Sequence, residues 1–237
     1  RSIGRGKGFR SMIGLLFTFY SIIFFMIPFI YRGYSPIILS IIVSIISTIV
    51  TLFLLNGWSK KTIVATLATC VGVIISGVIF CLISNLLNIS GFNLDEAESL
   101  ILIAQNTGLK IRDILFSGIL ISSLGAVMDV AMSIASSIYE INELNSELDM
   151  KTIFKSGINI GRDMIGTMSN TLILAFAGTS LSTMLALYSY NTQFNQLMSS
   201  DFIAIEFAQS ISGSIGIILA VPITSFISSY VYKRKIR

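Results

Sequence analysis

The sequence contains no histidine. That absence removes imidazole metal ligation, histidine activation of a nucleophile and the usual near-neutral proton shuttle. Charge is scarce as well. Only 12% of the 237 residues are Asp, Glu, Lys or Arg, whereas soluble domains carry about 25%. So little charge cannot coat a globule in water, so the missing solvent is lipid. Cysteine is almost absent: Cys70 and Cys81, eleven residues apart, would sit about 16 Å from each other on one helix, beyond disulfide reach. They read as small apolar packing residues, and neither a metal nor a cofactor is expected. The chain opens at Arg1 rather than methionine, as a trimmed fragment would, and its start lacks the small-residue cleavage pattern of a signal peptide.

What is abundant is apolar. Hydrophobic residues make up 54% of the chain and its mean hydropathy is +0.84. Stretches almost free of charge run from Ser11 to Tyr31, Ile37 to Leu55, Thr62 to Ile89, Ile114 to Tyr139, Met164 to Leu187 and Phe207 to Tyr232. Each reaches or nearly reaches the ~20 residues that cross a hydrocarbon core. The expected fold is therefore all-α, a polytopic membrane helix bundle of about six transmembrane helices, with residues 1–237 forming a single transmembrane domain. The first span is expected to bend or end near Pro28. Asn88 to Asp113 reads as an outer connection whose apolar run Leu100 to Ala104 belongs to an interfacial helix. Tyr139 to Gly161 mixes acids with Lys151 and Lys155 and reads as an amphipathic cytoplasmic connector.

Positive charge orients the spans. Arg1, Arg5, Lys7 and Arg10 precede the first, Lys60 and Lys61 separate the second and third, and Lys151, Lys155 and Arg162 separate the fourth and fifth. Lys233, Arg234, Lys235 and Arg237 follow the sixth, so thirteen of the sixteen basic residues fall on one side. By the positive-inside rule, this is a multipass cell-membrane protein with both termini cytoplasmic.

An ionisable residue inside a span is a functional hypothesis by default. Asp129 interrupts the fourth span. Ser122, Gly125, Ala126, Ser133 and Ser136 share its helical face, and Leu120, Leu124, Val127, Ile134 and Ile138 lie opposite. The small polar side is expected to face the bundle interior. Asp129 then marks an ion or substrate path, or it only locks helix packing. In the fifth span Asp163, Gly166, Thr167, Asn170 and Ala177 form a second stripe beside Arg162, and Asn170 is placed to hydrogen bond with Asp129. In the sixth, Glu206, Gln209, Ser210, Gly213 and Ala220 align, and Pro222 interrupts the backbone pattern. The candidate ion, proton or substrate path is thus Asp129, Ser133, Thr167, Asn170, Arg162, Asp163 and Glu206. Gly125, Gly166, Gly213 and Gly216 are the expected helix-packing positions.

Three strings carry a resemblance: Leu124-Gly125-Ala126-Val127-Met128-Asp129-Val130-Ala131 with the following SIASSIYE, the run from Gly161 to Leu172 (GRDMIGTMSNTL), and GSIGIILAVPIT from Gly213 to Thr224. Together they resemble the membrane portion of the YibE/F family of bacterial multipass proteins, over nearly the whole chain. The resemblance implies a membrane protein of the kind described as a permease. A mid-span aspartate followed by a Thr/Asn-rich span and a Gly-rich span is also similar to the membrane halves of SecD/SecF and RND exporters. That second likeness implies proton coupling through an intramembrane acid. It departs from those proteins between the first two spans, where only Arg32 to Pro36 intervene.

The expected function is a membrane transporter, permease or translocation subunit, proton-coupled through Asp129. The alternative is a non-transporting scaffold or accessory subunit. No enzyme is expected, because a Ser-His dyad is impossible and an aspartyl protease needs two apposed acids. The expected partners are the lipid bilayer and a companion membrane protein or a second copy of the chain, not nucleic acid.

Overall fold

The computed structural model describes residues 5–86, 108–189, 196 and 201–233. Helix α1 (Arg5–Tyr20) passes through a π-helical segment, Ser21–Met26, into α2 (Ile27–Tyr31). The distortion sits just before Pro28, whose ring has no N–H to donate and crowds the carbonyl of Phe24 four residues back. The first span therefore widens ahead of its proline and continues to Tyr31. After a short link come α3 (Pro36–Asn56) and α4 (Lys60–Leu86). Gly57 closes α3 with φ +67, and its N–H donates to the Phe53 carbonyl at 2.9 Å. Then follow α5 (Ile111–Leu144), α6 (Met150–Thr179), α7 (Leu181–Ser189) and α8 (Asp201–Lys233).

Five stretches among the described residues are long and apolar enough to cross a membrane: Gly8–Tyr31, Pro36–Asn56, Lys60–Leu86, Ile111–Leu144 and Phe202–Tyr232. The protein is an all-α membrane helix bundle. Helix α6 is long enough, but Arg162, Asp163, Thr167, Ser169 and Asn170 dilute its apolar content. The connector expected over Tyr139 to Gly161 is corrected by the structure. Helix α5 runs on to Leu144 and α6 starts at Met150, leaving only five residues, 145–149, between them. Charges on one face of a long helix imitate a loop when its other face, here Ile153, Gly157 and Gly161, is buried. The interfacial helix expected around Leu100 to Ala104 lies outside the described residues.

Helix directions alternate. Gly14 of α1 faces Thr51 of α3, and Gly72 and Gly77 of α4 face Val127 and Leu120 of α5. Gly157 and Gly161 of α6 face Ile138 and Ile134 of α5. Each of these pairs runs antiparallel. The start of α1 and the end of α8 therefore lie at the same end of the bundle as Lys60, Lys61 and Lys151. Lys61 sits over the Tyr139 ring there (5.2 Å to its centroid), and the Tyr139 and Tyr232 rings are 6.0 Å apart.

The core joins α4, α5, α6 and α8 through Phe80, Ile119, Leu120, Ile134, Ile153 and Ile217, all of them fully buried. Helix α8 packs along α4, α5 and α6, while α1 lies at the edge against α3. Apart from those of Ser44, Ser47, Ser84 and Ser228, which have no partner among the described residues, most buried serine and threonine hydroxyls find acceptors in their own helices, as when Thr48 donates to the Ser44 carbonyl at 2.7 Å and Thr224 to that of Ala220 at 2.6 Å. In lipid no water would do so, and each hydroxyl left unpaired would be costly.

Candidate functional site

Helix α5 presents two faces of opposite chemistry. Leu120, Leu124, Val127, Ile134 and Ile138 are buried, whereas Ser122, Gly125, Asp129 and Ser133 are exposed. The stripe expected to look into the bundle looks out of it. The reason is packing: α4 and α6 bring glycines, Gly72, Gly77, Gly157 and Gly161, against the branched side of α5. The small residues that permit close approach come from its neighbours, so α5 itself supplies the bulk.

Helix α6 is turned the same way. Its buried edge is Ile153, Gly157, Gly161 and Leu172, and Arg162, Asp163, Gly166, Thr167 and Asn170 are exposed. Since Gly161 meets Ile134 on an antiparallel neighbour, stepping five residues along each helix puts Asp129 at the depth of Gly166. By the same count Ser133 lies level with Arg162, and Gly125 with Asn170. The two packed helices thus carry their outward polar stripes at one depth. No hydrogen bond joins Asp129 to Asn170, and neither Arg162 nor Asp163 forms an ion pair among the described residues. Thr171 donates to the Thr167 carbonyl at 2.8 Å.

The glycines divide. A side chain on Gly213 would strike Leu172, and one on Gly216 would meet Ser76 Cβ at 2.8 Å, so both lie at close helix contacts as expected. Gly125 and Gly166 face open space, with nothing within 4 Å among the described residues, and make no helix contact there. Five packing glycines escaped the sequence reading: Gly14, Gly72, Gly77, Gly157 and Gly161. The four-residue spacing of Gly157 and Gly161 is the available signal, obscured by the acids and lysines that make the same stretch read as a connector. A further unforeseen link is the buried Ser76 hydroxyl, which donates across helices to the Ser212 carbonyl at 3.0 Å.

Glu206 stands apart from the α5–α6 stripes. It lines a groove of about 580 Å³ between α6, α7 and α8, with Ile173, Met184, Ile203, Phe207 and Ser210. Its Oε2 is buried with no hydrogen-bond partner among the described residues. The Ser180 hydroxyl, which donates to the Phe176 carbonyl at 3.0 Å, lies beside the same carboxylate. The chemistry on offer at the stripes is that of an acid flanked by hydroxyls and an amide at mid-bundle depth, suited to holding a proton or a small polar group.

The family model for YibE/F-like protein matches residues 2–234. No curated protein and no solved structure matches the chain.

Proposed function

The chain belongs to the YibE/F-like family, and on that premise we propose that it is the membrane-embedded subunit of a transport or translocation assembly. It sits in the cell membrane with both termini cytoplasmic, the orientation favoured by the basic residues gathered at one end of the bundle. Its polar path runs along the outward face of α5 and α6, past Asp129, Ser133, Thr167 and Asn170. Asp129 is the proton-carrying group of that path.

One observation carries the reading: Asp129 is exposed at mid-bundle depth beside a second exposed polar stripe. An unpaired carboxylate facing hydrocarbon costs at least ~2.5 kcal/mol, so such a face is stable only against water or polar protein. A companion membrane protein or a second copy of the chain would cover it and enclose the path between them. The reading is non-enzymatic.

The test is flux. In liposomes with a trapped pH-sensitive dye, the purified protein should move protons in response to a pH gradient. Asp129→Asn should reach the membrane normally and lose that flux. Full flux in the Asn variant would eliminate the proton-carrier role. The same outward face also favours a second reading, a scaffold whose α5–α6 surface docks a partner without transport. Stoichiometric co-purification of a membrane protein, with no flux from either component, would select it.

A further inference from the structure

A cavity of about 450 Å³ opens at the basic end of the bundle, where α4 begins and α5 and α8 end. Ser59 and Lys60 line it from one side, Tyr139, Asn142 and Glu143 from α5, and Tyr232 from α8. The Tyr232 side chain is only 7% exposed, and its hydroxyl is buried with no hydrogen-bond partner among the described residues. Six serine hydroxyls, those of Ser44, Ser47, Ser84, Ser169, Ser214 and Ser228, are also buried without a partner among the described residues, but of these groups only Tyr232 lines this cavity, where a ligand could complete it. Lys60 and Glu143 share the cavity without forming an ion pair. The 27-residue helix α4 also starts here, with its positive end and the first-turn amides that have no intrahelical acceptor. The Ser59 hydroxyl already accepts one of those amides, that of Thr62, at 3.3 Å.

Lys60 and Glu143 give the cavity wall a cation and an anion, with Ser59, Tyr139, Asn142 and Tyr232 as neutral polar groups in the same lining, and a wall of both signs complements a zwitterion. A simple anion would be repelled by Glu143, and a simple cation by Lys60 and the helix start. The cavity also lies at a membrane boundary, marked by Trp58 at 87% exposure beside the two tyrosines. From Lys60 an exposed apolar row of Ile63, Leu67, Val71 and Ile74 climbs the same face of α4, which suits acyl chains.

We propose that this cavity binds the headgroup of a bilayer phospholipid of the phosphoethanolamine type. The phosphate lies against Lys60, the Tyr232 hydroxyl and the start of α4. The ammonium donates to the Glu143 carboxylate and the Asn142 side-chain oxygen. A choline headgroup has no N–H to donate and fills only half of these roles.

The experiment is native mass spectrometry of the full chain, delipidated in detergent and offered an equimolar mixture of phosphatidylethanolamine, phosphatidylcholine and phosphatidylglycerol with identical acyl chains. Phosphatidylethanolamine should be retained roughly tenfold over the other two, about the worth of one charge-assisted hydrogen bond. Glu143→Gln should bring it down to the phosphatidylcholine level. Lys60→Gln should weaken all three. Both side chains are on the surface of the cavity, so folding should be intact and is checked by the unchanged melting of the variants. Equal retention of the three lipids, a preference for phosphatidylglycerol, or an undiminished preference in Glu143→Gln would overturn the proposal. Displacement of the lipid by millimolar soluble phosphoethanolamine would assign the cavity to a free zwitterion and overturn the lipid source.

Discussion

Helices α3 and α5 lie against each other and obey opposite rules. On α3 the hydroxyls are inside, with Ser40, Ser44, Ser47, Thr48 and Thr51 buried, and Ile38, Ile42, Ile46 and Ile49 exposed. On α5 the leucines and isoleucines are inside and Ser122, Asp129 and Ser133 are out. Lipid tails are as apolar as isoleucine, so burying isoleucine gains little in a membrane while burying small residues gains close packing. Helix α3 fits that logic and shows a surface made for hydrocarbon. The outward face of α5 does not, and with α6 it forms the one broad surface of the described bundle that lipid alone would not satisfy. On the proposed reading, the difference separates the part of the molecule that meets the bilayer from the part that meets something polar.

The sharpest way to break the comparison is to exchange size on the two faces of α5. Leu124→Ala opens a cavity in the core and should cost about 2–5 kcal/mol, read as a clear loss of thermal stability in detergent. Gly125→Leu adds bulk to open space and should stay within about 0.5 kcal/mol of the parent protein. The reverse order would mean that the polar side is the packed side. On α6 the contrast repeats: Gly161→Leu collides with Val221 and Ile134 and should cost about 1–3 kcal/mol or more by overpacking, while Gly166→Leu should be tolerated. Thermal melting of this pair checks the assignment for α6 independently.

A smaller effect is expected where hydroxyls are correctly inside. Ser76→Ala removes the interhelical bond to the Ser212 carbonyl and should cost about 1 kcal/mol. Measured in the same melting assay, no loss at all would show that this bond adds nothing to the α4–α8 contact.

The smallest effect lies outside the membrane. Asp149 caps α6, accepting from the Thr152 N–H at 3.2 Å. The hydrogen bonding of Thr152 holds its carboxyl below the usual aspartate range. A depressed folded-state value means that the stabilisation is fully present above the unfolded value and is lost as pH falls through the folded one. Melting should therefore decline slightly on acidification below the usual aspartate range, and Asp149→Asn, which caps without titrating, should flatten that decline. An unchanged slope would leave the cap without a role in acid stability.

Much of the fold is legible in the sequence because long charge-free runs admit little but spanning helices. The spans at α3 and α4 coincide with the expected ones to within a few residues. Legibility fails where one helix carries two instructions. Met150 to Gly161 has a charged side that reads as loop and a Gly157–Gly161 side that packs into the core, and composition averages the two. It fails again at the candidate site. A stripe of serine, glycine and aspartate reads as inward only if the helix supplies its own small residues. On α5 the neighbours supply them, and pairing between helices is not written in either helix alone. Gly213 and Gly216 were readable because there the small residues and the contact lie on the same helix face.

The central claim, that the α5–α6 face meets a polar environment while α3 and α4 meet lipid, can be measured directly. Spin labels placed one at a time at Ser133, Thr167, Ile42 and Ile74, with Cys70 and Cys81 replaced by serine, would be read in liposomes for collisions with oxygen and with a water-soluble nickel chelate. Labels at Ile42 and Ile74 should collide freely with oxygen and hardly at all with nickel. Labels at Ser133 and Thr167 should be reached by nickel, or be shielded from both where partner protein covers the face. Oxygen-dominated collisions at Ser133 and Thr167, matching those at Ile42, would place that face in lipid and contradict the claim.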